Sequence, residues 1–156
     1  MFARSIRHSV QPFLMGSEQL LGAVMAQNAG ANAAAITHAL RGPLATVKAH
    51  DRADRRHADA ADAAGDAGLQ VDRRMVIAVT TQRLLIFRMG GAFTPKVKTL
   101  LGEAPIGDVE GIDVRPAGLA KAVTLRVRGT AIGIETARGQ PAEDLARALH
   151  ATRLGG

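Results

Sequence analysis

The chain has no cysteine, no tryptophan and no tyrosine, and its only aromatic residues are four phenylalanines. Without cysteine there can be no disulfide, no thiolate zinc site and no cysteine nucleophile. With so few aromatics there is little on which to stack nucleobases, so an aromatic single-strand platform is not available. Serine is confined to Ser5, Ser9 and Ser17, none of them in a G-x-S-x-G elbow, and neither a G-x-x-x-x-G-K-[ST] phosphate loop nor a G-x-G-x-x-G fingerprint occurs. No nucleophile–base pair can be nominated, so the chain reads as non-catalytic, with no cofactor. Long apolar runs are missing too. The longest, Leu20 to Met25, falls far short of the ~20 residues of a membrane span. Arg4 and Arg7 are followed by His8-Ser9-Val10-Gln11-Pro12 rather than by the apolar core of a signal peptide. A soluble, cytoplasmic protein is expected.

What is present is ordinary for a globular chain. Its 156 residues are 47% hydrophobic and 22% charged, enough for one domain with a core that needs no covalent staples. Twenty basic residues against 14 acidic ones give a net charge of +6. Most of the excess lies after residue 70. Such a balance attracts nucleic acid, anionic lipid or acidic proteins, or serves solubility alone.

The histidines are His8, His38, His50, His57 and His150. On a helix, His50 and His57 share a face two turns apart, near Asp51, Asp54 and Asp59. Two histidines without a third ligand at clear spacing make a weak metal site. The stretch reads instead as a solvated polar face with local charge pairs, and no metal is expected.

Three zones follow one another. Ser17–Gln27 is apolar, and Leu20, Leu21, Val24 and Met25 suit either a helix face or a buried strand. Residues 28–70 are rich in Ala, Asp and Arg, with a break at Gly42-Pro43. Their apolar payload is mostly alanine, which buries little area, so this zone reads as a helical or flexible insertion that docks weakly. From Val71 onward, short β-branched runs dominate: Met75–Thr80, Arg83–Arg88, Lys96–Leu101, Val109–Val114, Val123–Val127 and Ile132–Glu135. Val123, Leu125 and Val127 alternate cleanly with polar partners. Pro141, Glu143 and Asp144 then open a helix whose Ala142, Leu145 and Leu149 share one face. Taking Ser17–Gln27 as a strand, the order is seven strands and one helix. Short links make an antiparallel meander that must curl to protect its edges, and the helix is sized to stopper one end.

Ala78-Val79-Thr80-Thr81-Gln82-Arg83-Leu84-Leu85-Ile86-Phe87 resembles the A-V-T-x-x-R-L-L-x-F hairpin of bacterial pleckstrin-homology-like (PH-like) and GRAM-type domains. Gly102-Glu103-Ala104-Pro105-Ile106 is similar to that family's step into its next strand. Ile132–Glu135 with Ala142–Leu145 is similar to its last strand and closing helix. The alanine-rich composition suits an actinobacterial member. The resemblance implies a mainly β fold: a curled seven-stranded antiparallel barrel or sandwich capped by a C-terminal α-helix. The core would be 17–27 and 71–154 of a single domain over 1–156, with the insertion at 28–70 and a tail at 1–12. It also implies an interaction or scaffold module, with self-association through an exposed strand edge.

In an up-and-down meander, Arg73 and Arg74 before the second strand, Arg88 ending the third, and Lys96 and Lys98 starting the fourth gather at one rim. Arg83 takes the opposite rim. In eukaryotic relatives of the fold this rim holds phosphoinositide headgroups. Cations converging without carboxylates suit an anion, either a phospholipid headgroup or another phosphorylated ligand, or else a solvated rim that discourages edge pairing. Arg115, Lys121, Arg126 and Arg128 form a second basic stretch, which leaves weak, backbone-only nucleic-acid binding as a third reading.

Overall fold

The structure, a computed structural model, describes residues 2–29 and 43–155, with side chains from 3–29 and 50–155. The first part of the Ala-rich zone, with His38 and Gly42, lies outside the described residues. Helix α1 is Phe2–Val10 and strand β1 Leu20–Asn28; helix α2 spans Pro43–Asp66. Strands β2 (Arg74–Thr80), β3 (Arg83–Gly90), β4 (Lys96–Pro105), β5 (Val109–Ala117), β6 (Ala120–Val127) and β7 (Thr130–Ala137) follow, and helix α3, Ala142–Leu154, closes the chain.

All seven strands lie in one antiparallel sheet in the order β4-β3-β2-β1-β7-β6-β5. β2–β4 and β5–β7 are each simple meanders. β1 joins them, paired along its length with β2 but with β7 only at Gln27–Glu135 and Asn28–Ile134. The sheet curls without closing, because β4 and β5 remain its two edges. The apolar zone Ser17–Gln27 thus resolves as a strand, and β4 continues to Pro105, past the Leu101 at which the sequence pattern ends it.

Alternation divides the apolar side chains between two cores. Met75, Ile77, Val79, Leu84 and Ile86 face the concave interior with Val123, Leu125, Ile132 and Ile134, and α3 adds Ala142, Leu145 and Leu149. Leu145 is fully buried and sits over Gly22 of β1, where a Cβ would lie 3.2 Å from the leucine Cδ2. The helix therefore seats where β1 and β7 diverge, as a stopper should.

The alternate residues Val76, Ala78, Leu85, Phe87 and Val97 face outward, where Ile6 and Val10 of α1 cover them. Residues 1–12, read from sequence as a tail, thus include a docked helix. Its apolar residues are too few to stand out in the sequence, yet its position on the convex face requires only one narrow stripe.

Helix α2 corrects the expectation of a weakly held excursion. Ala60 and Ala64, followed by Ala67 and Leu69 beyond its end, enter the interior core, and Ala53 is buried as well. The helix packs against β7 and β1, and Asn28 Nδ2 donates to the Ala53 carbonyl at 3.3 Å. Alanine contributes little area per residue, but it lets a helix backbone approach closely and fill space densely.

Both sheet edges are partly capped. Ser5 Oγ donates to the Pro95 carbonyl beside β4, and Ser9 Oγ accepts from the Val97 N–H, each at 3.0 Å. On β5, Arg153 of α3 donates to the carbonyls of Glu110, at 2.6 Å, and Val109. These bonds satisfy edge groups that could otherwise recruit another strand. No helix among the described residues is long and apolar enough to cross a membrane.

Candidate functional site

Of the two rims, the one at the β2–β3 turn is the more fully organised, and its work is structural. Thr80 Oγ1 accepts the N–H groups of Gln82 and Arg83 and lies 2.5 Å from Glu18 Oε1. Arg83 forks onto Glu18, Nε to Oε1 at 3.0 Å and Nη2 to Oε2 at 2.6 Å, and also binds Glu103 and the Phe13 carbonyl. The Glu18 side chain is fully buried and that of Arg83 is 12% exposed. Hydrogen bonding from Arg83 outweighs the opposing effect of burial, and the Glu18 carboxyl is lowered to about 2. Thr81, an unusual residue for such a turn, exchanges bonds with Gln19 through its N–H and its hydroxyl. The hairpin motif therefore anchors the segment entering β1. Glu18 was missed in sequence, although it is the sole carboxylate among the first fifty residues and Arg83 needed a partner.

The opposite rim carries the expected cations, but the pleat divides them. Met75 lies opposite Arg88 in the β2–β3 register, so Arg88 shares the concave face. Arg74, one residue earlier than Met75, projects with Val76 and Ala78 from the convex face. There it borders a cleft of about 200 Å³ with Met25, Gln27, Met89 and Gln140. Lys96 lies opposite Gly90, and a register shift leaves Lys98 as the extra residue of a bulge. The Lys98 stem covers Gly90, where a Cβ would be 3.2 Å from it.

Nor is the rim free of carboxylates. Asp72 accepts from Arg88 Nε at 2.6 Å and from the Arg73 N–H at 2.7 Å. Burial pushes the Asp72 carboxyl up, but these bonds outweigh it and its pKa lies below the ordinary value. The Arg73 side chain, 68% exposed, pairs with Asp54 of α2 at 3.2 Å. Arg73 and Arg88 thus tie α2 and its exit to the sheet, which corrects the picture of five unopposed cations. Among the described residues, no carboxylate lies within ion-pair distance of Arg74, Lys96 or Lys98.

The lack of carboxylates among these cations is legible in the sequence, whereas the exposed ring in their loop is not. Residues 73–102 contain Arg73, Arg74, Arg83, Arg88, Lys96 and Lys98 but no Asp or Glu. Within that stretch, the β3–β4 loop carries Phe93 at 98% exposure. Gly91 turns the loop at a φ of 91°, and a Cβ there would overlap the Thr94 carbonyl. Pro95 then pins the loop to α1 through Ser5. Of the basic stretch on the far meander, Lys121 pairs with Glu143, Arg126 with Asp113 and Arg128 with Asp108. No group of three His, Asp or Glu side chains able to hold a metal occurs among the described residues.

No family model matches the chain, and no curated protein matches it. Among solved structures it is similar to a crystal structure of a pleckstrin homology domain from Shewanella amazonensis, at 14% identity and a TM-score of 0.47, covering 95% of each chain. The observed arrangement, a curled seven-stranded antiparallel sheet with a C-terminal helix stoppering its interior, has the strand number, the antiparallel order and the closing helix expected from the sequence.

Proposed function

We propose that the protein is a PH-like binding module that takes an anionic ligand at the β3–β4 loop and the first residues of β4. The ligand class is phosphate-bearing, either a lipid headgroup or a soluble phosphorylated molecule. One observation carries the reading: the 73–102 stretch lacks any carboxylate, and Lys96 and Lys98 stand exposed at its loop with no acidic partner among the described residues. The other charge clusters support it by contrast, since Glu18–Arg83 and Asp72–Arg88 are consumed in holding the fold. The reading carries the finer expectations with it: a GRAM-type module in a bacterial cytoplasm, working by recognition rather than catalysis.

Self-association through a strand edge has less support, because Ser5, Ser9 and Arg153 already occupy part of both edges. Nucleic acid is less supported still, since the far basic stretch is largely paired with carboxylates. The test is calorimetric titration with inositol hexakisphosphate at low salt. Binding by the wild type, lost in a Lys96→Glu/Lys98→Glu double variant that keeps its thermal midpoint, is the expected result. No heat from the wild type refutes the reading.

A further inference from the structure

We propose that the cleft where β1 parts from β7 is a second binding site, for a carboxylate that carries one apolar group. The Arg74 guanidinium takes the carboxylate, and the Met25 and Met89 side chains surround the apolar part. The end of a polypeptide chain and a small monocarboxylic acid share this chemistry. The site is separate from the β3–β4 loop: Arg74 projects from the convex face, whereas Lys96 and Lys98 flank Val97, whose own side chain takes that face, and point the other way.

The cleft has a backbone origin. Gln27 pairs with Glu135 and Asn28 with Ile134, and an unbroken register would set Met25 opposite Ala137. The Asn28 N–H turns to Arg73 on the β2 side, so the Met25 N–H turns to the β7 side. There the strands have already separated. The Met25 N–H donates instead to Gln140 Oε1, at 3.0 Å, and Met25 and Ala137 both line a cavity of about 200 Å³. Because Gln140 accepts through its oxygen, its NH2 group remains a donor at the cleft.

Register then places the side chains. Gln27 lies directly opposite Arg74, and extending the β2–β3 pairing by one residue sets Arg74 beside Met89. Met25 stands on the diagonal from Arg74. Of the four arginines between 73 and 88, Arg73, Arg83 and Arg88 each hold a carboxylate. Arg74 differs. It is exposed, and neither a hydrogen bond nor an ion pair occupies its guanidinium among the described residues.

Charge and volume select the ligand. Arg74 is the one cation lining the cleft, and the nearly buried Glu135 lies just beyond Gln27, 3.5 Å from its amide. A planar guanidinium meets a carboxylate in two parallel bonds and neutralises its single charge. A phosphate dianion would keep an uncompensated charge near Glu135. The half-buried methionines ask for an apolar substituent, to which their unbranched, polarizable side chains adapt. The volume falls below the roughly 300–1,000 Å³ of pockets for drug-sized ligands, so one group enters and not a large molecule.

Methionine itself supplies the readout. The chain has five, and methyl-13C labelling reports Met25 and Met89 directly, with the exposed Met15 and the fully buried Met75 as internal references. Met25→Leu and Met89→Leu assign the two signals. Titration with 4-methylpentanoate should move both saturably, at concentrations on the order of millimolar, and leave Met15 in place. Neither 4-methylpentanamide nor inorganic phosphate should do so. Arg74→Gln, at an exposed position, should weaken the titration about ten-fold or more while leaving inositol hexakisphosphate binding unchanged. The Lys96→Glu/Lys98→Glu double variant should titrate as the wild type does. N-acetylglycylleucine separates the two sources: tighter binding than 4-methylpentanoate assigns a chain end, and equal or weaker binding assigns the free acid.

No saturable shift with either acid overturns the site. Equal shifts with the amide or with phosphate overturn the carboxylate, and shifts that survive Arg74→Gln overturn the part given to Arg74. Loss of the titration in the lysine double variant overturns the separation from the β3–β4 loop.

Discussion

The Glu18 carboxylate and the Arg83 guanidinium, 65 residues apart in the chain, meet in a two-point ion pair at 2.6 and 3.0 Å that closes the β2–β3 turn onto the approach to β1. Glu18 titrates near 2 in the folded protein against an ordinary 4.5. A depressed carboxyl contributes stability that is complete above the unfolded value and is lost as pH falls through the folded one. That contribution, about 3 kcal/mol, is therefore present above about pH 4.5 and gone by about pH 2. Urea unfolding across this range should show the loss. Glu18→Gln should cost about 3 kcal/mol at neutral pH, because it removes the buried two-point charge partner of a nearly buried guanidinium and leaves it only the exposed Glu103 carboxylate, and should flatten the acid limb of the profile.

The stopper helix provides a second test. Leu145 is fully buried against Gly22 and the interior core. Leu145→Ala should lower the unfolding free energy by about 2–5 kcal/mol, measured by urea denaturation. A loss no larger than that of an exposed α3 substitution such as Arg147→Ala would mean that the helix is not seated as described.

The rim cations should separate by role. Arg88→Glu sets a like charge against Asp72 and removes a half-exposed pair, so stability should fall by about 1 kcal/mol. Lys96→Glu faces no partner among the described residues and should move stability by less than about 0.5 kcal/mol while weakening anion binding. Thermal midpoints and titrations on the same two proteins give both readouts.

Capping of the β4 edge predicts a change in solution state. Ser5→Ala/Ser9→Ala removes the bonds to the Pro95 carbonyl and the Val97 N–H, leaving two edge groups open to another chain. Light scattering should show more association in the double variant than in the wild type at equal concentration. Equal scattering would show that the serines do not guard this edge.

At the projecting loop, Gly91→Ala meets both a φ of 91° and the Thr94 carbonyl. The cost is about 1–3 kcal/mol, and it should be local. Amide exchange should quicken through residues 90–97 while Leu84–Phe87 in the sheet keep their protection.

Much of the sheet was legible because its strands announce themselves. Val123, Leu125 and Val127 alternate with polar residues, and Leu145 and Leu149 recur at helical spacing. α2 was not legible in the same way, because alanine is apolar enough to pack yet too common in this chain to mark a face. At the candidate site, sequence could place cations near one set of strand ends. It could not say that the pleat sends Arg74 to one face and Arg88 to the other, nor that Asp54 and Asp72 would fold onto two of them. Those outcomes depend on register and on α2, both of which are tertiary. Phe93 was readable in principle, as the lone aromatic in a Gly-Gly to Pro loop, but only its exposure gives it meaning.

The two-pair ladder between β1 and β7 has a consequence for cooperativity. Each meander is locally wired, whereas their union depends on a short seam and on the leucines of α3 wedged beside it. Partial unfolding should therefore proceed by parting this joint, with β5–β7 leaving as one foldon and β1 staying with β2–β4. The resistance of the molecule to coming apart is set less by the breadth of its sheet than by those few residues at its centre line.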